Sequence, residues 1–177
     1  IDEASGMVAG RVHPGVVWIV NDSKGGEKVY GVDDTGATVA VLTLKNIYNR
    51  DWEAMAPGVD DGGDPALWIA DIGDNDAQWS SLRVYRISEP AELGDQDASW
   101  RRVELRYPDG AHNAETLLVD ADGRLVVVTK EEEERAPHPA MGVSTGELVR
   151  RLRETLPPYQ QKRLAHLVMP GPGRKAQ

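Results

Sequence analysis

The segments Val17-Trp18-Ile19-Val20-Asn21-Asp22 and Leu67-Trp68-Ile69-Ala70-Asp71 decide the fold. Each is a short apolar run that ends in amide or carboxylate side chains, and such runs are typical of buried β-strands. In both cases a Glu, Glu3 or Glu53, stands fifteen residues before the Trp. Recurrence of residue type, order and spacing within one chain predicts a structural repeat.

A third segment shares the order of features. Ala114-Glu115-Thr116 comes before the apolar run at 125–128, and the period from Glu to Glu is 50 and then 62 residues. These periods are close to the length of a four-stranded propeller blade. We therefore predict an all-β partial β-propeller of about three blades, over about 1–48, 49–109 and an incomplete 110–130. A generic β-sandwich is the alternative.

The tail at 131–177 departs from this pattern. Glu131 to Glu134 predict a solvated acidic loop. Ser144 and Glu147 resemble a capping box, which predicts a short helical C-terminal tail. Because the repeat stops abruptly, a truncated chain or an altered reading frame is also expected.

Composition and net charge exclude several classes of binding partner. The chain has 177 residues, a net charge of −9 and no Cys, so disulfides and Cys-zinc sites are excluded. The first 130 residues hold 23 acidic and 12 basic side chains, which makes nucleic acid a poor partner and a metal cation a better one. No run approaches the roughly 18 apolar residues of a membrane span.

Oxygen-bearing side chains should gather at one end of the predicted blades. In an antiparallel hairpin, the start of the first strand and the end of the second lie at the same edge. A hard cation such as Ca²⁺ would offset their mutual repulsion. The alternative is that they serve only in turns and strand ends. The predicted metal ligands are Glu3, Asn21, Asp22, Glu53, Asp71 and Glu115.

Two further side chains are candidates for catalysis. His112 immediately precedes Asn113-Ala114-Glu115 in sequence and is a candidate proton shuttle or ligand, with turn packing as the alternative. Lys130 follows the third apolar run and is a candidate to neutralise the carboxylates.

Several motifs resemble a bacterial β-propeller family described as phytase-like or WD40-like, whose members are often exported. The resemblance covers about residues 1–130 and implies a ring of roughly six blades. It is carried by Glu3-Ala4-Ser5-Gly6, Asn21-Asp22-Ser23, Asp51-Trp52-Glu53-Ala54, Asp71-Ile72-Gly73-Asp74-Asn75 and Asn113-Ala114-Glu115. Calcium-bound lactonase propellers are similar more loosely.

The resemblance implies an extracellular, periplasmic or cell-envelope protein. The expected function is a binding module that takes a small-molecule or protein ligand at the channel mouth. The alternative is a calcium-dependent hydrolase, either a phosphomonoesterase or a lactonase. Because propellers host many unrelated functions, the fold does not choose between them. A partial ring would leave exposed blade edges, so either the remaining blades are missing from this chain or it self-associates.

Overall fold

A computed structural model describes residues 1–23, 25–120 and 123–130, and this part of the chain contains eleven β-strands and no helix. The all-β prediction is confirmed. The predicted acidic loop and helical tail at 131–177 lie outside the described residues. The strands are β1 (Ala4–Ala9), β2 (Val17–Asn21), β3 (Lys28–Val32), β4 (Thr38–Thr43), β5 (Trp52–Val59), β6 (Pro65–Asp71), β7 (Leu82–Ser88), β8 (Gln96–Asp97), β9 (Trp100–Leu105), β10 (Ala114–Val119) and β11 (Leu125–Thr129).

The strands form three sheets. Sheet I has the order β1-β2-β3-β4-β8, sheet II the order β5-β6-β7-β9, and sheet III consists of β10 and β11. All neighbouring strands are antiparallel except β4 and β8, which are parallel. In sheet I, β1 to β4 form an antiparallel meander of successive strands, and in sheet II β5, β6, β7 and β9 form another, with β8 lying between β7 and β9 in the chain.

Three hairpin turns are built alike, from an Asp followed three residues later by a Gly. Asp33 Oδ1 accepts hydrogen bonds from the backbone N–H groups of Thr35 and Ala37 at 2.9 Å each. Gly36 donates to the Asp33 carbonyl at 3.0 Å and has φ +85°, a conformation that glycine adopts without steric cost. The same Asp-to-Gly backbone bond occurs between Asp60 and Gly63 and between Asp120 and Gly123.

Sheet II has a core on each of its faces. One face packs on sheet I, where fully buried Trp18, Val29 and Leu42 meet Ile69 and Tyr85. The other face packs on sheet III, where Ile72 and Val84 lie in one core with Ala114 and Leu117. Each fully buried large apolar side chain contributes roughly 1.5–3 kcal/mol. The two cores therefore hold sheet II between sheet I and sheet III.

The first strands of the sheets lie next to one another. β1 contacts β5, and β5 contacts β10. Gly6 permits the first approach, because a Cβ added there would come within 2.7 Å of the Ala54 carbonyl carbon and the Met55 nitrogen. Ser5 Oγ donates to the Trp52 carbonyl across the same contact. The starts of β1, β5 and β10 are consequently neighbours.

β8 was not predicted. It lies in the connection between β7 and β9, yet it pairs with β4 of sheet I. Ala98 N–H donates to the Thr43 carbonyl at 2.9 Å, and Asp97 forms an ion pair with Lys45 at 2.5 Å. The Trp100 indole N–H donates to the Lys45 carbonyl at 2.9 Å. A two-residue strand is too short to produce an alternating pattern, so the sequence carries no signal for it.

Candidate metal centre

The three sheets begin with the same irregular pairing. In sheet I, Ala4 pairs with Asn21 and Gly6 with Val20, so Ser5 is the extra residue of a β-bulge. The equivalent extra residues are Glu53 in sheet II and Glu115 in sheet III. A bulge redirects a side chain relative to a regular strand. The fold thus presents Ser5, Glu53 and Glu115 from equivalent positions.

This register corrects the predicted equivalence of Glu3 with Glu53. Glu3 precedes β1, and its carbonyl accepts the Asp22 N–H at 2.9 Å, as the Asp51 carbonyl accepts the Ile72 N–H at 3.2 Å. Glu3 therefore corresponds to Asp51. The hairpin of β5 and β6 continues to the pair Val59 and Pro65, whereas that of β1 and β2 ends at Ala9 and Val17. The two extra residues of the longer hairpin produced the matching spacing of fifteen.

Three carboxylates meet between sheets I and II. Asp22, Asp51 and Glu53 each offer an oxygen, and these oxygens all lie within 4.8 Å of one another. We call them the carboxylate triad. Asp22 follows β2, whereas Asp51 and Glu53 flank the buried Trp52 at the start of β5. All three are half-buried. Of the predicted ligands, the triad brings together Asp22 and Glu53.

Asn49 holds the two halves of the triad in place. Its side-chain amide donates to the Asp22 carbonyl at 3.1 Å and to the Gly26 carbonyl at 3.2 Å. Its Oδ1 accepts the Trp52 N–H at 3.1 Å. The side chain is buried, with 1% exposure. It ties the loop after β2 to the start of β5 and was missed from sequence, where it is an ordinary loop asparagine.

Asp71 lies behind the triad. Its Oδ1 accepts the Asp51 N–H at 2.8 Å, and its Oδ2 accepts the Arg50 Nε–H at 3.2 Å. Arg50 is itself stacked on Trp79, with its guanidinium carbon 4.6 Å from the ring centroid. Burial raises the pKa of Asp71, and the bonds from Asp51 and Arg50 oppose that rise. These contacts give Asp71 the geometry of an anchor for Asp51.

Gly73 leaves room for the Asp51 side chain. A Cβ added at Gly73 would lie 2.3 Å from Asp51 Oδ2 and 2.4 Å from its Cγ. The Asp74 carboxylate accepts the N–H groups of Gln78 and Trp79 at 2.8 Å each, which closes the following loop. The Asp-Ile-Gly-Asp-Asn motif therefore supports the site through Asp71, Ile72 and Gly73, which all contact Asp51.

Burial and crowding shift the acidities of the triad. Burial, followed by a hydrogen bond to Asp22 and the charges of Asp22, Asp71 and Glu115, raises the pKa of Asp51 to about 6. Burial, followed by the charges of Glu115, Asp51 and Asp22, raises the pKa of Glu53 to about 8. A carboxylate near other carboxylates favours its protonated form. A bound cation would reverse this preference.

Glu115 and Lys130 form the border of the site on the sheet III side. Lys130 Nζ lies 2.8 Å from Glu115 Oε1, and this bond raises the pKa of Lys130. Glu115 also forms a side-chain hydrogen bond with Glu53. Glu53 and Glu115 therefore lie together, as the sequence predicts.

The remaining candidates lie elsewhere. His112 Nε2 is 3.1 Å from Asp109 Oδ1, and its ring packs edge-on against Tyr107, with centroids 4.9 Å apart. This places His112 in its own loop and outside the triad. Asn21 is buried, and its Oδ1 has no hydrogen-bond partner among the described residues. Its carbonyl accepts a hydrogen bond from Asn49 at 3.4 Å.

The fold and the site define an all-β protein with an acidic oxygen-donor cluster between two sheets. Comparison with protein-family models, curated proteins and solved structures finds no match. Within the described ranges, no helix is long and apolar enough to cross a membrane.

Proposed function

We propose that the chain is a β-propeller binding module in which the carboxylate triad holds a divalent cation, and the cation receives an oxygen-bearing ligand. Ca²⁺ is the proposed ion, since it accepts irregular sets of six to eight oxygen ligands. The ligand class is a small molecule or a protein segment with carboxylate or phosphate oxygens. The exported location implied by the family resemblance is part of this proposal.

The strand arrangement supports the propeller part. Sheets I and II each contain a four-stranded antiparallel meander, to which sheet I adds the short strand β8, and their first strands are neighbours. The two β-bulges that place Glu53 and Glu115 occur at the same position in successive sheets. Equivalent points of successive blades face a common axis in propellers, which accounts for carboxylates distant in sequence gathering at one end.

The geometry of the carboxylate triad is the observation that supports a bound cation. Asp22, Asp51 and Glu53 present oxygens within 4.8 Å of one another. Among the described residues, no Lys or Arg forms an ion pair with Asp51 or Glu53. Half-buried carboxylates at this separation repel each other strongly unless protonated or bridged by positive charge. A divalent cation supplies that charge and leaves coordination positions for a ligand.

A calcium-dependent hydrolase is the second candidate, favoured by the pair Glu53 and Lys130. The pKa of about 8 applies to Glu53 without a cation, and once a cation lowers this pKa the Glu53 carboxylate can accept a proton from an attacking water. Lys130 is close enough for its charge to interact with Glu53, and it can orient an anionic substrate. A bound cation would supply polarisation of the substrate oxygen. His112 has no assigned part in this alternative.

Calorimetric titration with Ca²⁺, Mg²⁺ and Mn²⁺ at pH 7.5 tests the cation site. The expected result is one Ca²⁺ per chain, with binding weakened at least about tenfold in Glu53→Gln and in Asp22→Asn. Asp97→Asn is the control, because Asp97 is an exposed carboxylate that pairs with Lys45 away from the triad. Equal binding in all four proteins, or none in the unsubstituted chain, would refute the proposal. Release of phosphate from model esters, or opening of a lactone, would select the hydrolase.

A further inference from the structure

The side chains of Trp18 and Trp68 occupy equivalent positions in sheets I and II. Trp18 pairs with the residue three positions after the β-bulge of sheet I, and Trp68 pairs with the residue three positions after that of sheet II. Two residues further along the chain from these partners stand Gly10 and Gly58. Trp18 and Trp68 are 0% and 7% exposed. The surroundings of the two indole N–H groups can therefore be compared directly.

Trp18 has a carboxylate partner that comes from the next sheet. Its Nε1–H donates to Glu89 Oε1 at 3.0 Å, and the same carboxylate accepts the Arg11 N–H at 2.9 and 3.0 Å. Glu89 directly follows β7, the third strand of sheet II, and is buried. It lies beside Gly10, where an added Cβ would come within 2.9 Å of Glu89 Oε1. Sheet II thus supplies an acceptor to the tryptophan of sheet I.

Trp68 lacks such a partner. Its Nε1 is buried without a hydrogen-bond partner among the described residues, and a Cβ added at Gly58 would lie 2.4 Å from it. Sheet III packs on this face of sheet II, but in the described part of the chain it has only two strands. No third strand there provides a residue equivalent to Glu89. Because a buried N–H without an acceptor is unfavourable, this position favours the arrival of one.

The charges around Trp68 suit an anionic acceptor. The guanidinium carbon of Arg86 lies 5.5 Å from the centroid of the Trp68 ring. Arg86 and Arg101 share a single carboxylate, that of Asp61, at 2.6 and 3.4 Å, so positive charge is in excess. A cavity of about 610 Å³ is lined by all four of these side chains and gives a small anion room. A carboxylate here would gain a hydrogen bond from the indole and a favourable interaction with the guanidinium groups.

We propose that the indole N–H of Trp68 binds a carboxylate, as that of Trp18 binds Glu89. The carboxylate belongs either to a free ligand or to a Glu of the run at 131–134, which follows β11 in the chain. Both sources present the same acceptor oxygens. The site is independent of the carboxylate triad, because Gly58 lies at the opposite end of β5.

Proton–nitrogen NMR spectra of the full chain, recorded during titration with acetate, test this site. The Trp68 indole resonance, assigned by its loss in Trp68→Phe, should move downfield toward that of Trp18 and then saturate. Acetamide has the same shape without the charge and should leave the resonance in place. The Trp52 indole is the internal control, because its Nε1 is also buried without a partner but lies in the core between sheets I and II, where its resonance should not move.

A second titration, on a variant in which the four Glu residues at 131–134 are replaced by Gln, identifies the source of the carboxylate. A response to acetate in the unsubstituted chain supports the site and assigns it to a free ligand. A response that appears only in the variant supports the site and assigns it to the run at 131–134. The proposal is overturned if neither protein responds, or if acetamide or the Trp52 resonance gives an equal response.

Discussion

Sheets I and III differ at one equivalent backbone position, the residue that follows the second strand. In sheet I this residue is Asp22, whose N–H bonds to the Glu3 carbonyl. In sheet III it is Lys130, whose N–H bonds to the Asn113 carbonyl at 2.8 Å. Lys130 pairs with Glu115 of its own sheet, whereas Asp22 adds a carboxylate to Asp51 and Glu53 of sheet II. The same backbone position thus brings a positive charge to one set of carboxylates and a further negative charge to the other.

Exchanging the charge at Asp22 should have the largest effect. Asp22→Lys would give sheet I the residue type that sheet III has at this position, and would put an ammonium group beside Glu53. Cation binding should fall by about 100-fold or more, because a ligand is lost and a like charge replaces it. The melting temperature in chelator should rise. Calorimetry and thermal unfolding measure the two effects, and unchanged cation binding would contradict the comparison.

Filling the space beside Asp51 should have the next largest effect. Gly73→Ala puts a methyl group 2.3 Å from the present position of Asp51 Oδ2, so the carboxylate must move. We expect a loss of about 1–3 kcal/mol in the free energy of unfolding and about tenfold weaker cation binding. Urea unfolding and calorimetry provide the measurements. Gly62→Ala is the control, because its nearest contact is the Asp60 side chain at 3.3 Å in an exposed turn.

The pH dependence of stability should differ between the protein with a bound cation and the cation-free protein. The folded pKa of Glu53, about 8, lies above its ordinary value of 4.5, so the folded state binds the extra proton. Without a cation, this carboxyl makes the protein less stable as pH rises from about 4.5 to 8, by on the order of 1–2 kcal/mol. Asp51 acts in the same direction below about pH 6.

The stability of Glu53→Gln, measured in chelator at pH 5, 6.5 and 8, isolates this contribution by subtraction. The difference in unfolding free energy between the unsubstituted protein and the variant should change steadily with pH and flatten when Ca²⁺ saturates the site. A difference that is independent of pH in chelator would show that Glu53 titrates normally.

Removing the positive charge of Lys130 should have the smallest effect. Lys130→Gln leaves Glu115 without its 2.8 Å partner. Because both side chains are largely exposed, the melting temperature should fall only slightly. Cation affinity should rise about threefold, since one positive charge near Glu53 is gone. Thermal unfolding and calorimetry test both, and a fall in affinity would argue that Lys130 helps to hold the ligand.

The sequence predicts the strands well because their signals are local. Apolar runs such as 17–20 and 125–128, and Asp-Gly turns such as the one at Asp33, mark hairpins whatever lies around them. The meeting of Glu53 with Glu115 and with Asp22 follows from the shared edge of antiparallel hairpins. These features depend on periodicity and turn chemistry alone.

Other parts of the site depend on register, which spacing does not determine. Glu3 was aligned with Glu53 because the longer hairpin after β5 hid a shift of two residues. Asp51 entered only as part of the Asp-Trp-Glu-Ala motif, since its role arises from the space left by Gly73. Asn49 was missed because its partners, the carbonyls of Asp22 and Gly26, are backbone atoms of another sheet.

The short strand β8 affects how the protein unfolds. Two residues of the connection between β7 and β9 pair with β4 at the edge of sheet I. Bonds of Asp97, Ala98 and Trp100 to residues 43–45 hold this connection in place. Sheets I and II should therefore open together, as one cooperative unit, whereas among the described residues β10 and β11 share no strand pairing with either sheet. Amide exchange should accordingly be slowest and most uniform across β2, β3, β6 and β7, and faster in the hairpin of sheet III.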